Sequence, residues 1–130
     1  RIVQDASPAD LYARPASVFA ARFVGTPPMN VVSLPAITGE GLLLGVRPEH
    51  IRLGGDGIAT RVENVEYLGA DSIMTCRAGT EPINVRLPGK VALARGSEAR
   101  LAWDRDAVHL FDAVSGLRVE RAGVAAAISA

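Results

Sequence analysis

One cysteine, one lysine and six aromatic residues are few for a chain of 130 residues. A lone thiol, Cys76, cannot form a disulfide inside the chain. That fits a reducing, cytosolic compartment better than a stapled secreted domain. No apolar run approaches 18 residues, so no segment has the length of a membrane-spanning helix. Neither sign of charge prevails, with 14 basic residues against 14 acidic ones. No basic run forms an electrostatic footprint for a polyanion. The aromatics are Tyr12, Phe19, Phe23, Tyr67, Trp103 and Phe111. They are scattered rather than set along a basic groove, which argues against stacking on single-stranded nucleic acid.

The signatures of common chemistry are missing too. Gly89-Lys90 is the only Gly-Lys pair, but a phosphate-binding loop needs Gly where Asn84 stands and Ser or Thr where Val91 stands. There is no Gly-x-Gly-x-x-Gly. His50, Cys76 and His109 are far apart and lack the paired spacing of a zinc site, so no metal is expected. No catalytic residue is assigned. Cys76 sits in an alternating segment between Met74 and Ala78 and reads as a small buried hydrophobe. The start, RIVQDASPAD, has no apolar core of a signal peptide and no initiator Met. The expectation is a piece of a longer protein.

What is present is nearly half apolar sequence, enough for a core built from Val, Leu, Ile and Ala. Residues 7 to 25 read as helical. Ser7-Pro8-Ala9-Asp10 is a helix start, Pro15 stops that turn, and a second helix runs from about Ala16 to Gly25. It places Phe19 and Phe23 on one face. After Asn30 the period becomes two. Leu42, Leu44 and Val46 share a face, as do Leu101 and Trp103. Gly54-Gly55-Asp56-Gly57 reads as a tight turn. The alternation from Ile58 to Tyr67 slips by one residue, which predicts a β-bulge near Glu63 and Asn64. Short strands with glycine turns predict a mainly β fold, an OB-like small barrel or sandwich, preceded by two short helices.

One stretch, LLLGVRPEHIRL (42–53), breaks an apolar strand with Arg47, Pro48, Glu49 and His50. Two readings stand. In the first, Pro48 opens a turn at a strand corner that Arg47 and Glu49 fix by a charge-assisted hydrogen bond or by bonding the backbone. In the second, Arg47 and His50 help form a site for a small anion or a partner.

GVRPEHIRL resembles the Gly-[Ile/Val]-Arg-Pro-Glu signature of the transport-associated OB (TOBE) domain. This domain forms the C-terminal regulatory part of ATP-binding subunits of ABC importers of the sugar and glycerol-phosphate type. DASPADLYARPASVFAARFVGTPPMN resembles the junction that precedes that domain, through Pro8, Leu11, Tyr12, Pro15, Phe19, Ala20, Phe23, Val24, Gly25, Pro27, Met29 and Asn30. VENVEYLGADSIM and AVHLFDAVSGLRV resemble two further stretches of the family, in the same order along the chain.

The resemblance implies a division into a remnant of the nucleotide-binding domain with junction helices (1–30), an OB-like regulatory domain (31–119) and a tail (120–130). It implies no cofactor in this chain, with ATP and Mg bound by an upstream domain. It also implies a homodimer with a second copy, in which Phe19, Phe23, Met29 and Asn30 are candidates for the junction or dimer contact. The membrane-spanning subunits are expected partners through the full protein, at the inner face of the cell membrane, and a regulatory protein or small effector is a further one. The competing reading is a free-standing OB-type module that binds a small ligand.

Overall fold

The computed structural model describes residues 15–23 and 28–119. It is mainly β. In chain order the elements are α1 (Val18–Phe23), β1 (Asn30–Val32), α2 (Pro35–Thr38), β2 (Leu42–Val46), β3 (Arg52–Tyr67), β4 (Asp71–Ala78), β5 (Glu81–Pro88), β6 (Glu98–Ala102), β7 (His109–Asp112) and β8 (Arg118–Val119). Short 3-10 turns follow β2 at Pro48–His50 and β6 at Arg105–Ala107. The helix start expected at Ser7 to Asp10, the Phe23 side chain and the tail lie outside the described residues.

Two antiparallel sheets form, ordered β1-β2-β7-β8 and β5-β4-β3-β6. They face each other as a sandwich and do not close into one barrel. The alternation read from the sequence makes the core between them. In β4 the buried face is Ser72, Met74, Cys76 and Ala78. These meet Leu44 and Val46 from β2, Val62 from β3, Ile83 and Val85 from β5, Leu101 from β6 and Leu110 from β7. Each such side chain contributes about 1.5–3 kcal/mol when fully buried.

The predicted bulge is present. Val62 registers with Cys76 and Asn64 with Thr75, so Glu63 is the extra residue. The expected tight turn at Gly54–Gly57 is not what forms. Leu53 and Ile58 both register with Leu101, and the four residues between them swing out of β3 without reversing the chain. Gly57 makes this possible. A Cβ there would lie 2.3 Å from the Leu101 carbonyl oxygen, so the backbones approach closer than any side chain allows. The glycines therefore serve a wide bulge in a continuous strand, not a hairpin. The helical turn α2, with Pro35 at its start, falls in a region whose sequence reads as strand.

One open side of the sandwich is stitched by a side chain. Asn30, at the edge of its sheet, donates from Nδ2 to the Asn84 carbonyl at 2.8 Å and accepts the Asn84 N–H at Oδ1, also at 2.8 Å. Its amide thus imitates a neighbouring strand for β5, the edge of the other sheet. Close by, the Ser33 N–H donates to Glu81 Oε1 at 2.8 Å.

Candidate functional site

The break at Arg47–His50 lies where the chain leaves one sheet for the other. Pro48, buried, holds the first position of the 3-10 turn with its fixed φ. The His50 N–H donates to the Arg47 carbonyl at 3.0 Å. Ile51 then returns to extended backbone and enters the core at 3% exposure.

A second crossing repeats this one in the opposite direction. Asp104–Val108 carries the chain from β6 to β7, with the Ala107 N–H donating to the Asp104 carbonyl at 2.9 Å. Gly45 pairs with His109 and Arg52 with Ala102, so six residues intervene on each side, 46–51 and 103–108. The two crossings are one antiparallel ribbon that bends from sheet to sheet with both of its strands.

Between the turns is an open cleft of about 480 Å³ lined by Glu49, His50, Arg52, Asp104, Asp106 and Ala107. Arg52 Nη1 lies 3.0 Å from Asp104 Oδ1, with side chains 54% and 78% exposed. An ion pair that wet contributes about 0–1 kcal/mol. Glu49 and His50 are exposed, whereas Arg47 is only 1% exposed. Burial pushes the Arg47 guanidinium below the usual arginine range. Arg47 and His50 thus occupy different environments: one is packed inside the fold and the other lines the cleft. No three His, Cys, Asp or Glu side chains among the described residues are placed to hold a metal ion. Cys76 is fully buried and burial pushes its thiol up, away from the reactive thiolate.

A shallow groove of about 530 Å³ crosses the outer face of the β3 sheet, lined by Arg61, Glu63, Arg77 and Glu98 with Thr60 and Gly79. Its charges are largely engaged. Arg77 donates to both Glu63 oxygens, at 2.6 and 3.1 Å, and to the Thr80 carbonyl at 2.9 Å. The hydrogen bond from Arg77 holds the Glu63 carboxyl below the usual range, against the smaller opposing effect of burial. Glu98 pairs with Arg100 at 2.9 Å.

The junction residues are tied to the β body. Ala21 is fully buried in a small cluster with Met29, Val31 and Phe111 on the outer face of the β1-β2-β7-β8 sheet. Arg22 Nη2 donates to the Val31 carbonyl at 3.1 Å. Ser17 bridges Leu117, and the Val18 N–H donates to the Gly116 carbonyl at 2.8 Å. Of the four junction or dimer candidates, Met29 and Asn30 are buried within the chain at 2% and 7%, and Phe19 is 76% exposed. His109, weighed in the sequence only as a metal ligand, lies under this junction with Arg118, whose Nη2 is 2.8 Å from His109 Nδ1. Both residues fall in the stretch AVHLFDAVSGLRV, but nothing in the sequence shows that they meet.

Two four-stranded antiparallel sheets joined by a ribbon that crosses twice define a small β-sandwich domain. Residues 44–111, from the middle of β2 to β7 and so including both crossings, match the TOBE domain family, and the chain belongs to that family. It is 39% identical to the sn-glycerol-3-phosphate import ATP-binding protein UgpC of Cereibacter sphaeroides, over 89% of this chain and 39% of that protein. The protein of the same name from Paracoccus denitrificans is 39% identical over 90% of this chain and 39% of its own length. That from Pectobacterium atrosepticum is 36% identical over 90% and 40%. The chain therefore spans about two fifths of the length of these relatives. No helix among the described residues is long and apolar enough to cross a membrane.

Proposed function

We propose that the chain is the C-terminal regulatory and dimerisation domain of the ATP-binding subunit of an ABC importer for glycerol phosphate, carbohydrate or a related solute. The observation that carries this is the alignment of about nine tenths of the chain with part of UgpC proteins, which are named sn-glycerol-3-phosphate import ATP-binding proteins. In this reading ATP and Mg are held by a domain outside these 130 residues, and the sequence agrees in having no phosphate-binding loop. The domain works at the cytoplasmic face of the membrane, beside a second copy and the membrane-spanning subunits. It biases the open and closed arrangements of the ATPase pair, because a contact that differs between two states shifts their balance. The bent ribbon suits that work: it fixes the two sheets to one another, so a push on one face moves the whole body.

The test is a hybrid in which this chain replaces the matching part of the Cereibacter sphaeroides UgpC. The hybrid is expected to assemble with the membrane subunits and to support uptake of sn-glycerol-3-phosphate. A hybrid that folds but neither assembles nor supports uptake would count against the reading. The chain by itself is expected to show no ATP binding by calorimetry.

A further inference from the structure

Asp56 is the only aspartate in the chain that a glycine follows. The fold puts this pair in the excursion of β3. Leu53 and Ile58 both register with Leu101, so residues 54–57 hold no place of their own in the β3–β6 register. Asp56 is exposed, and among the described residues no hydrogen bond or ion pair engages its carboxylate. Gly55 before it has open space where a side chain would stand, so Asp56 has room to turn. Gly57 after it carries no Cβ to crowd the approach to its own nitrogen. No other described Asp or Asn combines these features. Each is followed by a residue with a side chain. Asp71, Asp112, Asn30 and Asn84 are also held by hydrogen bonds.

From this arrangement we propose that Asp56–Gly57 is a site of spontaneous backbone modification, at which the folded chain converts Asp56 to isoaspartate. The backbone nitrogen of Gly57 attacks the side-chain carboxyl carbon, Cγ, of Asp56. A bond forms between the nitrogen and Cγ. A hydroxyl leaves Cγ and departs with the amide proton as water, which closes a succinimide ring. Water then opens the ring. Cleavage of the bond between nitrogen and Cγ restores aspartate. Cleavage between nitrogen and the main-chain carbonyl carbon leaves the chain running through Cγ, with that carbonyl set free as an α-carboxylate. One water leaves and one returns, and nothing is oxidised or reduced. The product lengthens the main chain by one methylene carbon. Within a regular ladder that carbon would disturb the pairing of the residues after it. Here it falls among residues that already stand outside the register. The contact that follows can stay in place: Gly57 lies against the Leu101 backbone, and its carbonyl accepts from Arg100 Nη1 at 3.3 Å. The modified chain keeps its fold and displays an isoaspartyl α-carboxylate at its surface. That group is the class of substrate taken by a carboxyl methyltransferase that uses S-adenosylmethionine.

The test holds the purified 130-residue chain at neutral pH and physiological temperature, beside the same chain unfolded in guanidinium chloride. Trypsin cuts after Arg52 and Arg61 and releases the peptide 53–61. Its isoaspartyl form has the same mass but separates by chromatography, and electron-transfer fragmentation locates the altered bond. A segment outside the ladder opens at little cost in free energy, so conversion in the native chain is expected within about tenfold of that in the unfolded chain. Methyl label placed on 53–61 by an isoaspartate carboxyl methyltransferase should rise in step. Asp56→Glu keeps the charge but would need a larger ring. In that variant the second form and the label should both vanish, with the melting temperature unchanged. A native chain whose peptide 53–61 stays a single species would overturn the proposal, whether or not the unfolded chain converts. A second form that persists in Asp56→Glu would overturn it as well.

Discussion

At the scale of single residues, burial divides Arg47-Pro48-Glu49-His50 into an inner and an outer half. Arg47 is 1% exposed and Pro48 is buried, while Glu49 and His50 face solvent. Arg47→Ala removes a packed aliphatic stem together with a buried charge whose surroundings are built around it. A loss of about 2–4 kcal/mol is expected. Glu49→Ala should change stability by less than about 0.5 kcal/mol, as exposed substitutions generally do. Urea denaturation of both variants checks this, and equal effects would contradict the division. The sequence made the interruption visible but not this split. Its period shows that the strand stops at Val46. Which of four polar residues is covered depends on packing between sheets, including that of the Pro48–His50 turn against β5, and those contacts are distant along the chain. The meeting of His109 with Arg118 was hidden for the same reason. One imidazole in an apolar strand has no pattern, and its partner Arg118 meets it only after the chain has turned at Ser115.

At the scale of elements, legibility follows period. Strands β2, β4 and β5 were readable because one face of each is buried, and the bulge at Glu63 was readable because it displaces that face by one residue. The excursion at Gly54–Gly57 was misread because glycine signals close backbone approach and chain reversal equally well. The seam between β1 and β5 left no trace in the pattern at all, since it rests on one amide, that of Asn30. Asn30→Ala would leave the N–H and carbonyl of Asn84 without their present partners. A cost of about 2–3 kcal/mol is expected, with the Asn84 amide among the first to lose exchange protection. An Asn84 amide as protected as before would show that the sheets hold together without the stitch.

The turns respond to acid. Glu63 is held below the usual range by the hydrogen bond from Arg77. Asp112 is held low by the backbone bonds from Ser115 and Val114. A lowered folded pKa stabilises the fold above the ordinary carboxylate range, and the benefit is lost as pH falls through the lowered value. Denaturant midpoints should therefore decline from about pH 4 downward. Glu63→Gln should flatten that decline, and an unaltered slope would remove Glu63 as a cause.

At the scale of the whole molecule, the question is which surface could meet a second copy. Formal charge is zero, so no net repulsion keeps copies apart. Met29 and Asn30 are already buried within the chain, so their part in any dimer is to shape the surface rather than to form it. The exposed apolar side chains near the junction are Phe19, Val114 and Leu117, at 76%, 96% and 59%. The bridge from Ser17 to Leu117 and the bond from Val18 to Gly116 bring them to one end of the molecule. Apolar side chains gathered at one place mark contact surfaces, and an isologous pair is the commonest way to close one. The chain is expected to form a two-fold dimer at high micromolar concentration, measured by sedimentation equilibrium. Cutting the chain at Asn30 would be a poor control, because losing Ala21 and Met29 uncovers Phe111 and Val31 and so creates a new apolar surface. Substitution is cleaner. Val114→Ser with Leu117→Ser should weaken the dimer about tenfold or more while leaving the melting temperature of the β body nearly unchanged, since both side chains are exposed. A strictly monomeric wild type would refute the dimer, and a dimer indifferent to the double substitution would place the contact elsewhere on the β body.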